Sequence, residues 1–286
     1  MNGGIGKNIA FTAVLRSLSA KLKEPISVIT GWPLVYHGNP HVDQVWQFGQ
    51  MDHFYDQHAA DGVWLLDAEP YRHPGYTAKD RHLLEVWCEQ LGCDWDGELP
   101  DLFLFKEEDR KAENFIQNLK KHKPVLITQF LGGPVPQQGQ PDPPEGQRRT
   151  VPQEIAQKIV DRYADEYNVL HIASAEQPVL HNATPLHDQL RVVFAAIKHA
   201  DKLLLIDSFA QHAAAAFGKE ATVLWCGTSP DVLGYDLHQN ITIANCPTPQ
   251  CMRPYSWLFD SLAGGIQWSC PHGDICCDHD PEGILI

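Results

Sequence analysis

The sequence predicts an α/β protein of two domains, each built on a parallel sheet. A chain of 286 residues suits two domains of about 100–150 residues better than one oversized domain. Stretches with helical spacing alternate with short apolar or β-branched runs along most of its length. The composition, 43% hydrophobic and 20% charged, is that of a globular protein, and no apolar run approaches the roughly 20 residues that cross a bilayer.

The elements follow in order. Residues 9–22 place apolar side chains at helical spacing, and Pro25 stops them before the strand-like run 26–30. In front of that helix GGIG forms a Gly-rich turn, with Lys7 beside it. Free N–H groups there suit an anion, and a tight turn that only glycine permits explains the same residues. Strands are expected at 63–66 and 102–105, separated by a helix over 78–91 with Leu83, Leu84, Val86 and Trp87 on its apolar side. A charged helix (107–121) precedes Pro124 and the apolar run 125–128, which opens a second unit. The boundary near His122 divides the chain into 1–122, 123–245 and a Cys-rich tail, 246–286.

The Pro- and Gly-rich stretch 132–147 reads as a loop. At the carboxyl end of a strand it lies where open α/β sheets bind ligands, although a plain insertion has the same composition. A helix (152–167), strand (168–172), helix (185–200), strand (202–206), helix (211–217) and strand (221–225) follow.

A formal charge of −14 disfavours gripping a phosphate backbone, so a nucleic-acid partner is the lesser expectation. The one basic cluster, Lys120 to Lys123, reads as a solvated helix end. The N-terminus lacks the charged-then-apolar pattern of an export signal, which points to a cytoplasmic protein without a membrane span.

The most informative segment is 200–230. The strand LLLI delivers Asp207 and Ser208 to the start of an Ala-rich helix, where backbone N–H groups and the helix dipole favour a phosphate. Both residue types are also common helix caps. The string resembles the donor-domain signature of family 9 glycosyltransferases, the lipopolysaccharide heptosyltransferase type. Asp207, Ser208, His212, Ala214, Ala216 and Gly218 match it in order, and Cys226 to Pro230 is similar to the Gly-Pro-Thr segment of that family. Phe209 and Ala210 replace its usual Gly-Pro. The opening GGIGKNIAFTAVLRSL, the segment Gly38 to Asp43 and Arg149 to Pro152 agree with the family in the expected order, so the resemblance runs to about Ile243.

That resemblance implies a GT-B architecture, two Rossmann-like domains facing a cleft, with the acceptor on the first and a nucleotide sugar on the second. It implies a glycosyltransferase acting on a glycan or other hydroxyl acceptor, with no metal at the catalytic centre. The departing diphosphate then needs amides and cationic side chains. The implied donor-binding set is Gly4, Gly6, Lys7, Asn8, Arg149, Glu176, Asp207, Ser208, His212 and Thr228, with Glu176 accepting from the nucleoside. Where the family carries an Asp thought to act as general base, this chain has Lys7, better suited to stabilising the leaving group. The base is then sought in LLDAEPYRH, with Asp67 first and Glu69 and His73 beside it; an ordinary polar loop explains the same residues. The aromatic residues between Trp46 and Tyr76 suit a sugar platform or simple core packing.

Of eight cysteines, Cys246, Cys251, Cys270, Cys276 and Cys277 crowd the tail. In a reducing compartment Cys246, Cys251, Cys270 and Cys276 suit one structural Zn²⁺, with His272 and His279 as substitute ligands; disulfides and free thiols are the other readings. Two further functions share the fold: a nucleotide-sugar epimerase or hydrolase, and a nucleotide-sugar-binding protein without turnover.

Overall fold

The structure is a computed structural model and describes residues 1, 3–58, 62, 65–132, 149–243, 246 and 279–286. The loop expected at 132–147 lies outside the described residues, apart from Gly132.

The chain opens with α1 (Ile5–Leu22), followed by β1 (Ile26–Thr30) and β2 (Val42–Gln47), which pair in parallel as a two-stranded sheet. Short helices α2 (Asp52–His58), α3 (Pro74–Thr77) and α4 (Leu83–Gln90) lead to α5 (Lys106–Lys120). The second half holds β3 (Val125–Thr128), α6 (Gln153–Tyr163), β4 (Asn168–Ile172), β5 (Ala183–Leu186), α7 (Leu190–His199), β6 (Lys202–Ile206), α8 (Phe209–Ala216), β7 (Thr222–Trp225), α9 (Pro230–Leu233) and β8 (Gln239–Thr242). These six strands form one sheet in the order β5-β4-β3-β6-β7-β8, every pair parallel. Counted from β3, that is the 3-2-1-4-5-6 order of a doubly wound dinucleotide-binding fold, with its topological switch point between β3 and β6.

Alternation along the strands divides the core between the two faces. Val125, Ile127, Leu203, Leu205, Val223 and Trp225 join one cluster; Leu126, Leu204, Ile206 and Leu224 join the other. Burial on both faces explains why these strands read as unbroken apolar runs. The first cluster also takes Ile9, Ala13, Val14 and Leu18 of α1 and Trp87 of α4, and α1 packs on α8 and α4, with α8 against β6. The second cluster is closed by α6 and by Ile284, near the chain end.

Several expected elements differ. The run 102–105 is no strand: the Phe103 carbonyl accepts from the Arg191 guanidinium at 2.8 Å, and Phe105 begins α5 as its N-cap. Side chains and a helix start thus occupy backbone groups that a ladder needs. Residues 65–66 are exposed and irregular, and 63–64 lie outside the described residues. Among the described residues the first half therefore carries a two-stranded sheet. Helix α1 begins at Ile5 rather than residue 9, placing Gly6, Lys7 and Asn8 in its first turn. Residues 183–186 form β5 rather than the start of a helix, and Pro185 is tolerated because β5 is an edge strand. Among the described residues no helix is long and apolar enough to cross a membrane.

Candidate functional site

The turn leaving β6 lies at the carboxyl edge of the sheet, on one side of the switch point. Ser208 is the N-cap of α8: its Oγ accepts from the Ala210 amide at 3.3 Å and donates to Gln129 Oε1, just past β3. The hydroxyl therefore bridges β3 and β6 where their helices depart in opposite directions. Asp207 is buried beside it; Arg149 donates to its backbone carbonyl at 3.4 Å and stands 4.0 Å from its carboxylate. Burial pushes the Asp207 carboxyl up, against the opposing influences of Arg149 and the Thr228 hydroxyl. Thr228 Oγ1 is itself buried and makes no hydrogen bond of good geometry.

The start of α1 meets this turn. A Cβ on Gly6 would lie 2.9 Å from the His212 ring and 3.3 Å from Phe209 Cα, so only glycine allows the first turns of α1 and α8 to approach so closely. Lys7 comes immediately after it. Its ammonium bonds both carboxylate oxygens of Glu69, at 3.0 and 2.8 Å, and lies 4.9 Å from the centre of the Tyr71 ring. The Tyr71 hydroxyl is held protonated by burial and by the neighbouring Glu69 and Asp207 charges, while Arg149 opposes them. Tyr235 stands on the far side, bonded to His212 Nδ1 at 2.8 Å. Burial pulls the His212 imidazole down to about 3, so it is neutral at ordinary pH.

Gly6, Lys7, Arg149, Asp207, Ser208, His212 and Thr228 are thus brought together. Gly4 is the N-cap of α1 and has no side-chain cap. Asn8 faces inward: its side chain donates to the Gly4 carbonyl at 3.0 Å and accepts from Thr30 at 2.6 Å and Tyr36 at 3.0 Å. Glu176 is exposed on the turn after β4, with β3 between that strand and β6. Asp67 is exposed, so Glu69, not Asp67, reaches the cluster; His73 instead caps α3 through the Gly75 amide. Tyr71, Gln129 and Tyr235 also belong to the cluster. Tyr71 falls in the aromatic stretch read as a sugar platform or core packing, whereas nothing in the local sequence marks Gln129 or Tyr235 as ligand contacts, because the fold joins them to Asp207 from distant segments.

The aromatic stretch divides. Trp46, Phe54 and His58 pack on one another, Tyr71 packs on Tyr76, and Phe48 and Tyr55 are exposed. Cys251, Cys270, Cys276 and His272 lie outside the described residues. Among the described residues no three His, Cys, Asp or Glu side chains form a ready metal group.

No family model and no curated protein sequence matches the chain. Solved structures do. A family 9 glycosyl transferase from Veillonella parvula superposes with a TM-score of 0.63 at 16% identity, covering 84% of this chain and 83% of its own. The E. coli ADP-heptose LPS heptosyltransferase II gives a TM-score of 0.63 at 14% identity, covering 92% and 96%. E. coli heptosyltransferase WaaC, solved with ADP, gives 0.54 at 12% identity over the same shares. The chain therefore has the α/β fold, with parallel sheets, that these glycosyltransferase structures share.

Proposed function

We propose that this protein is a glycosyltransferase that takes a nucleotide-activated sugar as donor, with residues 1–122 as acceptor domain and 123–245 as donor domain of a GT-B enzyme. The observation that supports it best is the Ser208–Gln129 bridge across the switch point, with Arg149 and Asp207 beside it. Open α/β sheets bind phosphorylated ligands at that edge. Two of the similar structures are named for ADP or an ADP-heptose analogue, which makes a nucleoside diphosphate the natural probe.

In this reading Arg149, whose side chain is 23% exposed, stabilises the departing diphosphate without a catalytic metal. Glu176 lies on the same carboxyl edge of the sheet and serves the nucleoside. Lys7 supports the leaving group once its pair with Glu69 opens, and that opening frees a carboxylate to take the acceptor proton. Glu69 is better placed than Asp67 for this, because it already reaches the cluster. The acceptor is a glycan or another hydroxyl compound, the compartment is the cytoplasm, and zinc on the tail thiolates is structural.

A second reading, a nucleotide-sugar-binding protein without turnover, is favoured by one observation: Lys7 is nearly buried and already paired with Glu69. Calorimetry with nucleoside diphosphates and their sugars, followed by product analysis with candidate acceptors, separates the two. Replacing Arg149 with Ala is expected to weaken diphosphate binding at least about tenfold, the size of one charge-assisted hydrogen bond. Unchanged affinity in a folded variant rejects this site.

A further inference from the structure

We propose that Trp32 is the stacking platform for a pyranose ring of the acceptor, an inference that rests on the sugar-transfer reading and adds an acceptor-side residue to it. Trp32 stands two residues beyond the end of β1, at the carboxyl edge of the small sheet. It is 37% exposed, yet it is held at both of its N–H groups. The backbone amide donates to Thr30 Oγ1 at 3.0 Å, and the indole Nε1 donates to the Gly3 carbonyl at 3.0 Å. Thr30 Oγ1 in turn donates to Asn8 Oδ1 at 2.6 Å, in the first turn of α1. With both donors engaged by the protein, the surface that Trp32 offers to a ligand is its aromatic ring.

A fixed ring with an electron-rich face suits a flat partner that presents C–H groups, which is what one side of a pyranose does. Because the indole is already tethered, stacking removes little rotamer freedom from it. Its position fits an acceptor. Gly3, which accepts from the indole, also touches Lys7: a Cβ on Gly3 would lie 2.7 Å from Lys7 Cδ. The Lys7 ammonium holds Glu69, the carboxylate assigned above to the acceptor proton. Gly3 therefore links the ring to the group that would act on a bound hydroxyl. A second exposed aromatic residue, Phe48, leaves β2 at the same edge, its amide donating to the Thr30 carbonyl at 3.0 Å. Thr30 thus anchors Trp32 through its hydroxyl and Phe48 through its carbonyl.

The test is an NMR titration of the full-length protein, isotope-labelled at its indole nitrogens, with the methyl glycosides of glucose, galactose and mannose as probes. Either Trp32→Phe or Trp32→Leu, whichever folds, identifies the Trp32 indole resonance by its loss. At least one glycoside should shift that resonance saturably, and saturation transfer should reach the C–H protons of one sugar face. Trp32→Leu, which keeps bulk without an aromatic face, should weaken that glycoside about tenfold, whereas Trp32→Phe should stay within about threefold of the wild type. An indole resonance that no glycoside moves, or undiminished affinity in folded Trp32→Leu, overturns the proposal. These titrations contain no donor, and calorimetry with a nucleoside diphosphate is run on the same protein. Diphosphate binding without a glycoside shift defeats the platform alone. A glycoside shift without diphosphate binding defeats the sugar-transfer reading and leaves Trp32 as a sugar contact.

Discussion

His212 shows what burial does to a single residue at this site. Its folded-state value of about 3 lies far below the ordinary 6.5, and burial also lowers His171, to about 4. A buried neutral histidine binds fewer protons than the unfolded chain, so stability is present above pH 6.5 and is lost as pH falls from 6.5 towards the folded values. Each such histidine contributes a slope of at most about 1.4 kcal/mol per pH unit in that window. Urea midpoints measured between pH 7 and pH 4 should fall steeply, and His212→Gln should remove one proton's worth of that slope. An identical pH dependence in the variant contradicts the assignment. Ser208 is the second informative residue: Ser208→Ala removes the α8 cap and should lower stability by about 1 kcal/mol in denaturant unfolding. A larger loss would reflect the bond to Gln129.

At the level of elements, the approach of α1 to α8 depends on Gly6. Gly6→Ala forces a methyl group to within 2.9 Å of the His212 ring and 3.3 Å of a backbone carbon, a crowding that typically costs about 1–3 kcal/mol. The expected result is a lower thermal midpoint, accompanied by a change in the environment of the neighbouring Trp87. This contact also shows what the sequence could reveal. Strands β3, β4, β6 and β7 were legible because burial on both faces leaves short apolar runs that only strands of a covered sheet require. Strands β2 and β8 were not, since VDQVWQ and QNIT are edge strands whose polar residues carry no such signal. Residues 102–105 misled for the opposite reason: Leu102 and Leu104 pack on the core while Arg191 takes the Phe103 carbonyl and Phe105 stays exposed. At the site, Asp207, Ser208 and His212 were legible because strand end and helix start are local. Lys7, Glu69 and Tyr71 were each noted separately, but their meeting was not legible, because it depends on how α1 sits against the segment before α4.

At the level of the whole molecule, Arg191 joins the halves. From α7 its guanidinium reaches both Glu108 oxygens at 2.7 Å, the Leu34 carbonyl at 2.9 Å and the Phe103 carbonyl at 2.8 Å, and it holds the Glu108 carboxyl below the usual carboxylate range. Arg191→Ala leaves Glu108 without its partner and strips two carbonyls of a donor, a change expected to cost about 3–5 kcal/mol by urea unfolding. Arg191→Lys should rescue little, because one ammonium cannot serve four acceptors on three segments. The meeting of α1 with α8 has a further consequence. Two helix beginnings, each bearing partial positive charge, are pressed together with a single hydrogen atom of Gly6 as spacer. Their partial charges, of like sign, repel each other across this contact. A multivalent anion settling beside them offsets that repulsion, so pyrophosphate should raise the melting temperature more than chloride at equal ionic strength, bracing the seam.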